Sequence, residues 1–434
     1  MMITSKPVSR RDILGKGAAA AAAPLIVPAS VLGLSGATPP SDRVTLGGLG
    51  IGSRGARVLQ SFLAQQDVQF LAICDVRDER REAIKSIADK KYGNSDCKMY
   101  ADQEELWARR DIDAVLIATG DRWHAPLSIL TARAGKDVYC EKPCSMTIAE
   151  SRALADTFQR LGRVYQAGTQ RRNGVNFNRA FDLARGGKLG KVHTLHAEVG
   201  PGDRWPPATT HAWLPEEPEP PRQVVDWDRW LGPAPWRPYN SAYVQGKWRG
   251  YFDFHGGGIL EWGAHTVDLC QWVAGLDGTA PVEYDPKGMG SDTPYTVECR
   301  YANGLRLVMR DKGFMGLGSC AFRVEGDAGW VETADSGTIE TAEKLWAEVE
   351  SVPREVAAEA TTRHVRDFLD CVKSRKAPRA NALAAAQTHI ACHAAYIAFQ
   401  LGRKLRFDPA TDTFPGDEQA NRMRSRAMRV PWRL

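Results

Sequence analysis

The sequence lacks the patterns that mark three common classes of protein. Its nine cysteines are an odd number, scattered without a paired framework or ligand-like spacing, so neither a disulfide-bonded domain nor a metal site is indicated. They are typical of small core residues in a chain that folds in a reducing compartment. From this cysteine pattern we expect no bound metal. The alanine-rich apolar stretch near the N-terminus is too short for a stable membrane span.

A strong charge of either sign is also missing. The chain carries 57 lysines and arginines against 52 aspartates and glutamates, a formal net charge of +5. The first 16 residues supply +3 of this, from four basic residues against one acid, which leaves +2 for the rest. Nothing in this balance indicates a nucleic-acid partner. Residues 421–434 hold five arginines and no acid, but apolar residues lie between them, which favours docking on a neighbouring surface.

The N-terminal segment resembles an export signal. The pair Arg10-Arg11 precedes an apolar run, and the pattern is similar to the twin-arginine signal, whose pathway exports folded proteins. The small residues Ser35 and Ala37 stand where a signal peptidase would cut. We expect residues 1–37 to be this signal, the twin-arginine (Tat) export machinery to be a partner, and the protein to be periplasmic or otherwise exported. An amphipathic N-terminal helix is the alternative.

The order of segments predicts an α/β fold. Between Val44 and Gln166, short apolar runs alternate with helical segments, which indicates parallel β-α-β units. The runs are RVTLGGLG, VQFLAICDV, AVLIAT and DVYCEK. The helices between them are expected to start after Gly55 and near Asp78, Asp102 and His124.

Beyond Lys191 the pattern changes to strands of alternating polarity joined by short turns. This predicts an open, mainly antiparallel sheet with one covered face. Two helical segments follow, RHVRDFLDCVKSRK and ALAAAQTHIACHAAYIAFQLGRK, and are expected to pack back across the domains. We predict two domains, at residues 43–166 and 167–434.

A loop rich in proline and tryptophan interrupts the second domain at residues 201–248. It holds six of the thirteen tryptophans and is too long for a simple connection. Aromatic faces beside prolines make flat walls that suit the apolar faces of a sugar ring. The alternative is a structural strap that buries its own tryptophans.

The segment GIGSRG, from Gly50 to Gly55, follows a predicted strand and opens a helix. Glycines in this setting permit a tight turn, let a pyrophosphate approach the backbone and seat the helix N-terminus against the anion. Asp75 ends the next strand, 20 residues after Gly55, where a carboxylate binds a ribose diol. Because Asp75 repels a 2′-phosphate, NAD is favoured, while Arg77 or Arg80 leaves NADP possible.

Two further segments carry candidate catalytic groups. Lys142 lies in DVYCEKPCS at the carboxyl end of a predicted strand, the edge where open α/β sheets bind ligands, and is placed to polarise a substrate oxygen. A solvated charge is the alternative. In GGGILEWGAHTVDLCQW, four residues share one stripe of an otherwise apolar helix: Glu261, His265, Asp268 and Trp272.

The polar stripe must face a partner or a cavity, because a helix that is apolar around most of its circumference is buried. His265 is a natural general base near neutral pH, and a nearby carboxylate would orient it. Two alternatives remain open, a buried structural His–Asp pair and a metal site formed by Glu261, His265 and Asp268.

Together these motifs resemble the Gfo/Idh/MocA family of sugar and cyclitol oxidoreductases, over nearly the whole chain from Arg43 to Leu434. The glycine turn, GDRWHAPLSILTARAGKDVYCEKP and GGGILEWGAHTVDLCQW carry the resemblance. It implies an N-terminal Rossmann domain, a doubly wound parallel sheet, followed by a C-terminal α/β domain. The open, mainly antiparallel sheet of that second domain often forms the subunit interface, so a homo-oligomer, a dimer or a tetramer, is expected.

The resemblance also implies residue roles. Lys142 orients the substrate, His265 exchanges the proton, and Glu261 helps to bind substrate where the family commonly has aspartate. The residues expected to contact substrate are Asp268, Arg171, Arg172 and Asn173. The residues expected at the cofactor, NAD or NADP, are Gly50, Gly52, Ser53, Arg54, Gly55, Asp75, His124, Glu141 and Lys142.

The leading interpretation is hydride transfer between a sugar or cyclitol hydroxyl carbon and the nicotinamide, with His265 taking the hydroxyl proton and Lys142 holding the oxygen. A redox-neutral, NAD-dependent cleavage of glycosides is the second interpretation, and a ligand-sensing regulator is the third. Export adds a constraint, because the space outside the inner membrane offers no dependable pool of NAD. The cofactor is therefore expected to be loaded in the cytoplasm, tightly retained and reoxidised in place.

Overall fold

The computed structural model describes residues 38–200, 210–288, 294–311, 314–349 and 357–434. The chain divides into two compact units, Met1–Arg43 and Val44–Leu434. The described part of the first unit contains one 3₁₀ turn at Pro40–Asp42. The predicted signal, residues 1–37, lies outside the described residues.

The first half of the second unit is a six-stranded parallel sheet with helices between its strands. The strands are β1 Val44–Leu49, β2 Val68–Cys74, β3 Lys98–Tyr100, β4 Ala114–Ile117, β5 Asp137–Cys140 and β6 Tyr165–Ala167. The helices are α1 Ser53–Leu63, α2 Asp78–Tyr92, α3 Gln103–Trp107, α4 His124–Arg133 and α5 Ile148–Leu161. The order β3-β2-β1-β4-β5-β6 reverses between β1 and β4, as in a doubly wound Rossmann sheet. The predicted fold of this region is confirmed.

One predicted helix boundary is wrong. Helix α1 begins at Ser53 rather than after Gly55, because the extended backbone of Gly52 already ends the turn and caps the helix. The starts predicted near Asp78, Asp102 and His124 are confirmed. At Asp102 the side chain accepts a hydrogen bond from the backbone N–H of Glu104, which is a standard N-cap.

The second half contains an eight-stranded sheet. Its strands are β7 Val192–Glu198, β8 Glu283–Lys287, β9 Thr296–Arg300, β10 Arg306–Arg310, β11 Phe322–Gly326, β12 Gly329–Thr333, β13 Ile339–Thr341 and β14 Leu405–Arg406. The order is β13-β12-β11-β7-β10-β9-β8-β14. Among these described strands only β7 and β10 pair in parallel, so the predicted mainly antiparallel sheet is confirmed.

Helices cover one face of this sheet. The helices of the second half are α6 Val175–Arg185, α7 Trp227–Leu231, α8 Gly257–Ala274, α9 Ala357–Ser374, α10 Ala382–Leu401 and α11 Glu418–Arg422. Helix α8 packs on β7, β10 and β11, α6 on β12, and α10 on β8 and β9. Inward-facing residues such as Leu195 and Phe322 join these helices in one buried apolar cluster, as expected for a sheet with one covered face.

The two C-terminal helices connect the halves, as predicted. Helix α9 packs against α1, where Phe368 meets Phe62 with ring centroids 6.0 Å apart. Helix α10 packs against both α5 and α8 and is buried along most of its length. All nine cysteines are unpaired and buried, as the composition predicted.

The C-terminal arginines dock on this chain itself. Arg426 pairs with Glu150 at 2.6 Å, and Arg429 pairs with Asp228 at 2.7 Å. These contacts tie the tail to α5 and α7. No described helix is long and apolar enough to cross a membrane.

The described part of the Pro- and Trp-rich loop begins at residue 210, and residues 201–209 with Trp205 lie outside the described residues. We call residues 210–255 the strap. Trp227 and Trp230 are buried in a separate apolar cluster within it, which confirms the structural alternative for these two. Trp213 and Trp236 remain 54% and 60% exposed.

Candidate active site

The glycine turn joins β1 to α1 at the carboxyl edge of the first sheet. Gly50 has a φ of +63°, and a Cβ there would lie 2.1 Å from the Thr119 side chain. A Cβ at Gly52 would meet nothing within 4 Å, so the backbone borders open space. A Cβ at Gly55 would lie 2.6 Å from Ala118 Cβ, so only glycine permits this close packing of α1. The turn, the open approach and the close packing are what a pyrophosphate-binding turn requires.

Asp75 lies directly after β2 at the same edge. Burial raises its pKa to about 6, against the effect of the Arg77 backbone N–H, which donates to Asp75 Oδ1 at 2.9 Å. The carboxylate is therefore mainly ionised at neutral pH and suits the hydroxyls of a ribose. Arg77 and Arg80 line the same end of the cavity.

A cavity of about 460 Å³ follows this edge of the sheet. Eight of the nine residues predicted at the cofactor line it: Gly50, Gly52, Ser53, Arg54, Asp75, His124, Glu141 and Lys142. The ninth, Gly55, packs against Ala118 and is not part of the lining. The residues present thus fit a dinucleotide along the whole edge.

The strap supplies the opposite wall of the cavity. Trp230, Val244 and Trp248 belong to its lining. The strap is joined to the segment after β2 by backbone hydrogen bonds, from Asp78 N–H to Val224 O at 3.1 Å and from Asp226 N–H to Val76 O at 3.0 Å. The strap therefore covers the end of the cavity that contains Asp75, which we call the ribose end. The sequence did not predict this cover.

Lys142 and Glu261 meet at the cavity wall. Lys142 Nζ donates to Glu261 Oε1 at 2.7 Å and to its backbone oxygen at 3.1 Å, so the loop after β5 is fixed to the second turn of α8. Burial alone would raise the pKa of Glu261, but Lys142 and His255 outweigh it and hold this pKa well below its usual range. The site therefore contains an ion pair in which the carboxylate orients the ammonium group.

His255 and Asp121 also belong to this cluster, and sequence analysis missed both. His255 Nε2 lies 3.4 Å from Glu261 Oε2, and Asp121 offers an oxygen within 4.8 Å of both groups. The Gly257 N–H donates to His255 Nδ1 at 3.1 Å, which puts the ring proton on Nε2, facing the carboxylates. That proton occupies the lone pair a metal ion would need, so the geometry favours a hydrogen-bonded cluster.

His265 lies one turn further along α8 and is buried. Arg171 Nη1 donates to its Nε2 at 3.0 Å, and Asp335 holds Arg171 by hydrogen bonds of 2.9 and 2.6 Å. Burial, then the charges of Arg171 and Lys142, lower the pKa of His265 well below its usual value. The imidazole is therefore neutral with its lone pair on Nε2, the form that accepts a proton. His265 is not itself among the residues that form the cavity wall.

The remaining predicted substrate residues are engaged elsewhere. Arg172 is fully buried, with two 2.7 Å hydrogen bonds to Asp268 and a 2.8 Å ion pair to Asp277. Asn173 Oδ1 lies 2.6 Å from Nδ1 of His364. Among the described residues, neither Arg172, Asn173 nor Asp268 lines the cavity. This geometry favours a structural role for them over the predicted contact with substrate.

The metal alternative for the α8 stripe is likewise not favoured. Each of its three candidate ligands contacts a cationic side chain, Lys142 for the first, Arg171 for the second and Arg172 for the third. A cation would have to displace those partners. A buried polar stripe requires polar partners, and these three lysine and arginine side chains are the partners of this one.

His124 and Glu141 line the cavity and connect the loops around it. The ring nitrogens of His124 lie 2.6 Å from Pro143 O and 3.3 Å from Thr119 O, which connects the loops after β4 and β5. Glu141 pairs with Arg54 at 3.4 Å, which connects the loop after β5 to α1. Both residues line the cavity, where the sequence predicted cofactor contacts.

Two relatives illustrate what the chain is similar to in sequence and fold. A glycosyl hydrolase family 109 protein of Shewanella sp. (strain W3-18-1) is 32% identical over 179 residues, which is 39% of this chain and 37% of the relative. The chain thus spans well under half of that curated relative. Myo-inositol 2-dehydrogenase from Lactobacillus plantarum superposes with a TM-score of 0.60 at 16% identity, covering 84% of this chain and 100% of that one.

A third comparison concerns a structure with bound nucleotide. The WlbA dehydrogenase from Bordetella pertussis, in complex with NADH and UDP-GlcNAcA, superposes with a TM-score of 0.63 at 15% identity, covering 84% of this chain and 98% of that one. At these identities the superpositions show the fold.

Family models match both halves of the molecule. The model of the oxidoreductase family's NAD-binding Rossmann fold matches residues 44–169, and the model of its C-terminal alpha/beta domain matches residues 208–434. The first match coincides with the glycine turn, Asp75 and the cavity edge. This chain belongs to the Gfo/Idh/MocA oxidoreductase family and carries its NAD-binding Rossmann domain.

Proposed function

We propose that this protein transfers a hydride between a hydroxyl-bearing carbon of a sugar or cyclitol and a tightly bound NAD. The observation that carries the proposal is the 2.7 Å ion pair between Lys142 and Glu261, which lies at the wall of the nucleotide cavity and joins the Rossmann sheet to α8. The neighbours in fold, an inositol dehydrogenase and a dehydrogenase in complex with a sugar nucleotide, support the substrate class.

Each protein group has one task in this reaction. NAD, when bound, supplies the acceptor for the hydride. Lys142 donates a hydrogen bond from Nζ to the substrate oxygen, which stabilises that oxygen as charge develops during oxidation. Glu261 fixes Nζ through Oε1, while His255 contacts the other carboxylate oxygen, so the ammonium group is oriented before substrate arrives.

His265 is the proton acceptor in the proposed reaction. Its Nε2 carries the lone pair that receives the hydroxyl proton, and in the reverse direction it returns that proton. The substrate hydroxyl would replace Arg171 Nη1, which now donates to Nε2, as the donor to that lone pair. Asp335 holds Arg171 through the other two nitrogens, Nε and Nη2, so the guanidinium group stays anchored when Nη1 gives up this contact.

The strap supports tight retention of the cofactor. To release a dinucleotide, the strap would have to leave the loop after β2 and the Arg122 guanidinium, which lies 3.7 Å above the Trp230 ring. We propose that NAD is loaded during folding in the cytoplasm, that the twin-arginine-like signal exports the loaded protein, and that bound NADH is reoxidised in place by a second substrate.

Retention and export have separate tests. Purified protein should carry about one nicotinamide per chain through gel filtration, as expected for nanomolar binding. Protein that emerges empty and whose activity follows added NAD with a micromolar constant contradicts retention. Replacing both Arg10 and Arg11 by lysine should leave the protein in the cytoplasm, and unchanged export contradicts the signal.

A second candidate is redox-neutral cleavage of a glycoside, supported by the partial similarity to glycosyl hydrolase family 109 proteins. NAD, when bound, would supply a temporary acceptor for the hydride of one carbinol, to which that hydride is restored at the end. While that carbon is a ketone, the adjacent C–H is acidic enough to lose its proton, the glycosidic group leaves, and water adds to the resulting double bond. This reaction releases phenol from a nitrophenyl glycoside without net reduction of nicotinamide, whereas simple hydride transfer reduces the nicotinamide and releases no phenol.

We also propose a homo-oligomer, a dimer or a tetramer, that uses the face of the eight-stranded sheet opposite α8. This face carries exposed charged residues of both signs, including Glu298, Arg300 and Arg306. Light scattering of the purified protein tests the assembly, and a monomer at micromolar concentration contradicts it.

A further inference from the structure

Two cationic side chains line the ribose end of the nucleotide cavity. Arg77 immediately precedes α2, Arg80 lies in the first turn of that helix, and both line the cavity together with Asp75. Guanidinium groups bind phosphate monoesters through paired, charge-assisted hydrogen bonds. A dinucleotide with a 2′-phosphate on its adenosine ribose would therefore find two suitable cationic partners here, and the carboxylate of Asp75 would oppose it.

Both guanidinium groups are engaged by one carboxylate. Glu79 Oε1 accepts a hydrogen bond from Arg77 Nη2, and Arg80 Nε lies 3.7 Å from the same oxygen. The other terminal nitrogen of Arg77 donates to Val244 O of the strap at 2.7 Å. Both terminal nitrogens of Arg77 thus have acceptors within the protein.

The position of Glu79 makes it a selective element rather than part of the core. It lies in the first turn of α2, where the helix dipole favours a carboxylate. Its side chain is 66% exposed, whereas that of Arg77 is only 16% exposed. Removing the charge of Glu79 therefore disturbs little packing but changes the charge that an incoming 2′-phosphate meets.

We propose that Glu79 determines cofactor specificity, because it holds Arg77 and Arg80 away from a 2′-phosphate and repels that phosphate directly. Asp75 accepts the ribose diol, and Glu79 withholds the two cations that would otherwise bind NADP. The inference deepens the cofactor assignment, rests on the nucleotide site and does not depend on the sugar chemistry proposed above.

The test is a nucleotide competition. Purified wild-type protein, Glu79→Gln and the matched control Glu82→Gln are incubated to equilibrium with equal excesses of NAD and NADP and then desalted. The dinucleotides released on denaturation are quantified by mass spectrometry. Glu82→Gln removes the same charge from an exposed residue of the same helix. The ratio of bound NADP to NAD should rise about tenfold in Glu79→Gln and stay within about twofold in the control.

Two outcomes overturn the proposal. An unchanged ratio in Glu79→Gln shows that the arginines are not withheld, and an equal rise in Glu82→Gln shows a general effect of charge. If retained nucleotide fails to exchange, the same ratio is measured on the nucleotide that the proteins carry from the cell. Glu79→Asp keeps the charge and should keep the wild-type ratio. Because no sugar is added, a failed sugar oxidation leaves this result intact, and the reverse also holds.

Discussion

The glycine turn and the polar stripe of α8 are both spaced motifs, yet the structure uses them in different ways. The turn works through backbone geometry, so Gly50 and Gly52 lie where their spacing predicts, at the cavity. The stripe works through side chains, and its members meet three separate partners, of which only the Lys142–Glu261 pair lies at the cavity wall. The position of a backbone turn follows from local sequence, whereas the contacts of a side chain depend on distant residues that the fold brings beside it.

The largest expected effect concerns Lys142, the partner of the stripe residue that reaches the cavity, Glu261. Lys142→Met should lower kcat about 10³-fold, because it removes the donor to the substrate oxygen and leaves Glu261 without its cationic partner. Steady-state kinetics with a responsive sugar measure this. The matched variant Lys188→Met removes a lysine from an exposed ion pair and should leave kcat unchanged. A decrease in kcat of less than tenfold for Lys142→Met contradicts the assigned role.

The next effect concerns Arg172, the partner of the buried stripe residue Asp268. Arg172→Met should lower the free energy of unfolding by about 3–5 kcal/mol, because it leaves the buried Asp268 carboxylate without its partner. Urea denaturation measures the loss. Arg422→Met, which breaks an exposed arginine–glutamate pair, should change the unfolding midpoint little. Near wild-type stability together with a raised KM would instead support the predicted contact with substrate.

The same contrast explains what the sequence could and could not predict. Strand order and the edge position of Lys142 follow from local patterns of apolar residues and turns. The pairing of Arg171 with Asp335 joins residues 164 positions apart, and no local pattern marks it. His255 precedes a helix with no periodic partner, and its role appears only when the chain brings Glu261 and Asp121 beside it. The roof formed by the strap is also a contact between distant segments.

A third test compares two tryptophans of the strap. Trp230→Leu should speed the loss of bound nucleotide about tenfold or more, because it removes the ring stacked 3.7 Å from the buried Arg122 guanidinium. Trp236→Leu changes an exposed ring and should leave the rate unchanged. Release into a nucleotide-scavenging mixture, followed by fluorescence of the bound NADH, measures both rates. Equal rates in the two variants contradict the strap as a roof.

The smallest expected effect is a shift of the acid limb of the pH profile of kcat/KM. The neutral form of His265 is the active base, and it predominates above the pKa of this residue. Burial, then Arg171 and Lys142, lower that pKa. Wild-type kcat/KM should therefore stay constant as the pH falls below the usual histidine value of about 6.5. Arg171→Leu removes a lowering charge and should move the acid limb up by about one pH unit. Asp335→Asn leaves the Arg171 charge less compensated and should move the acid limb to lower pH. Shifts of the same sign in both variants contradict the assignment of this limb to His265.

Retained NAD and hydride transfer are tested together by adding candidate sugars and cyclitols to purified protein with no added nucleotide. The near-ultraviolet absorbance and fluorescence of reduced nicotinamide should appear with a responsive compound, at about one equivalent per chain at most. They should disappear when a reducible sugar is added. Absorbance that appears only when free NAD is supplied contradicts retention, and a nucleotide-loaded protein that no carbinol reduces contradicts hydride transfer itself.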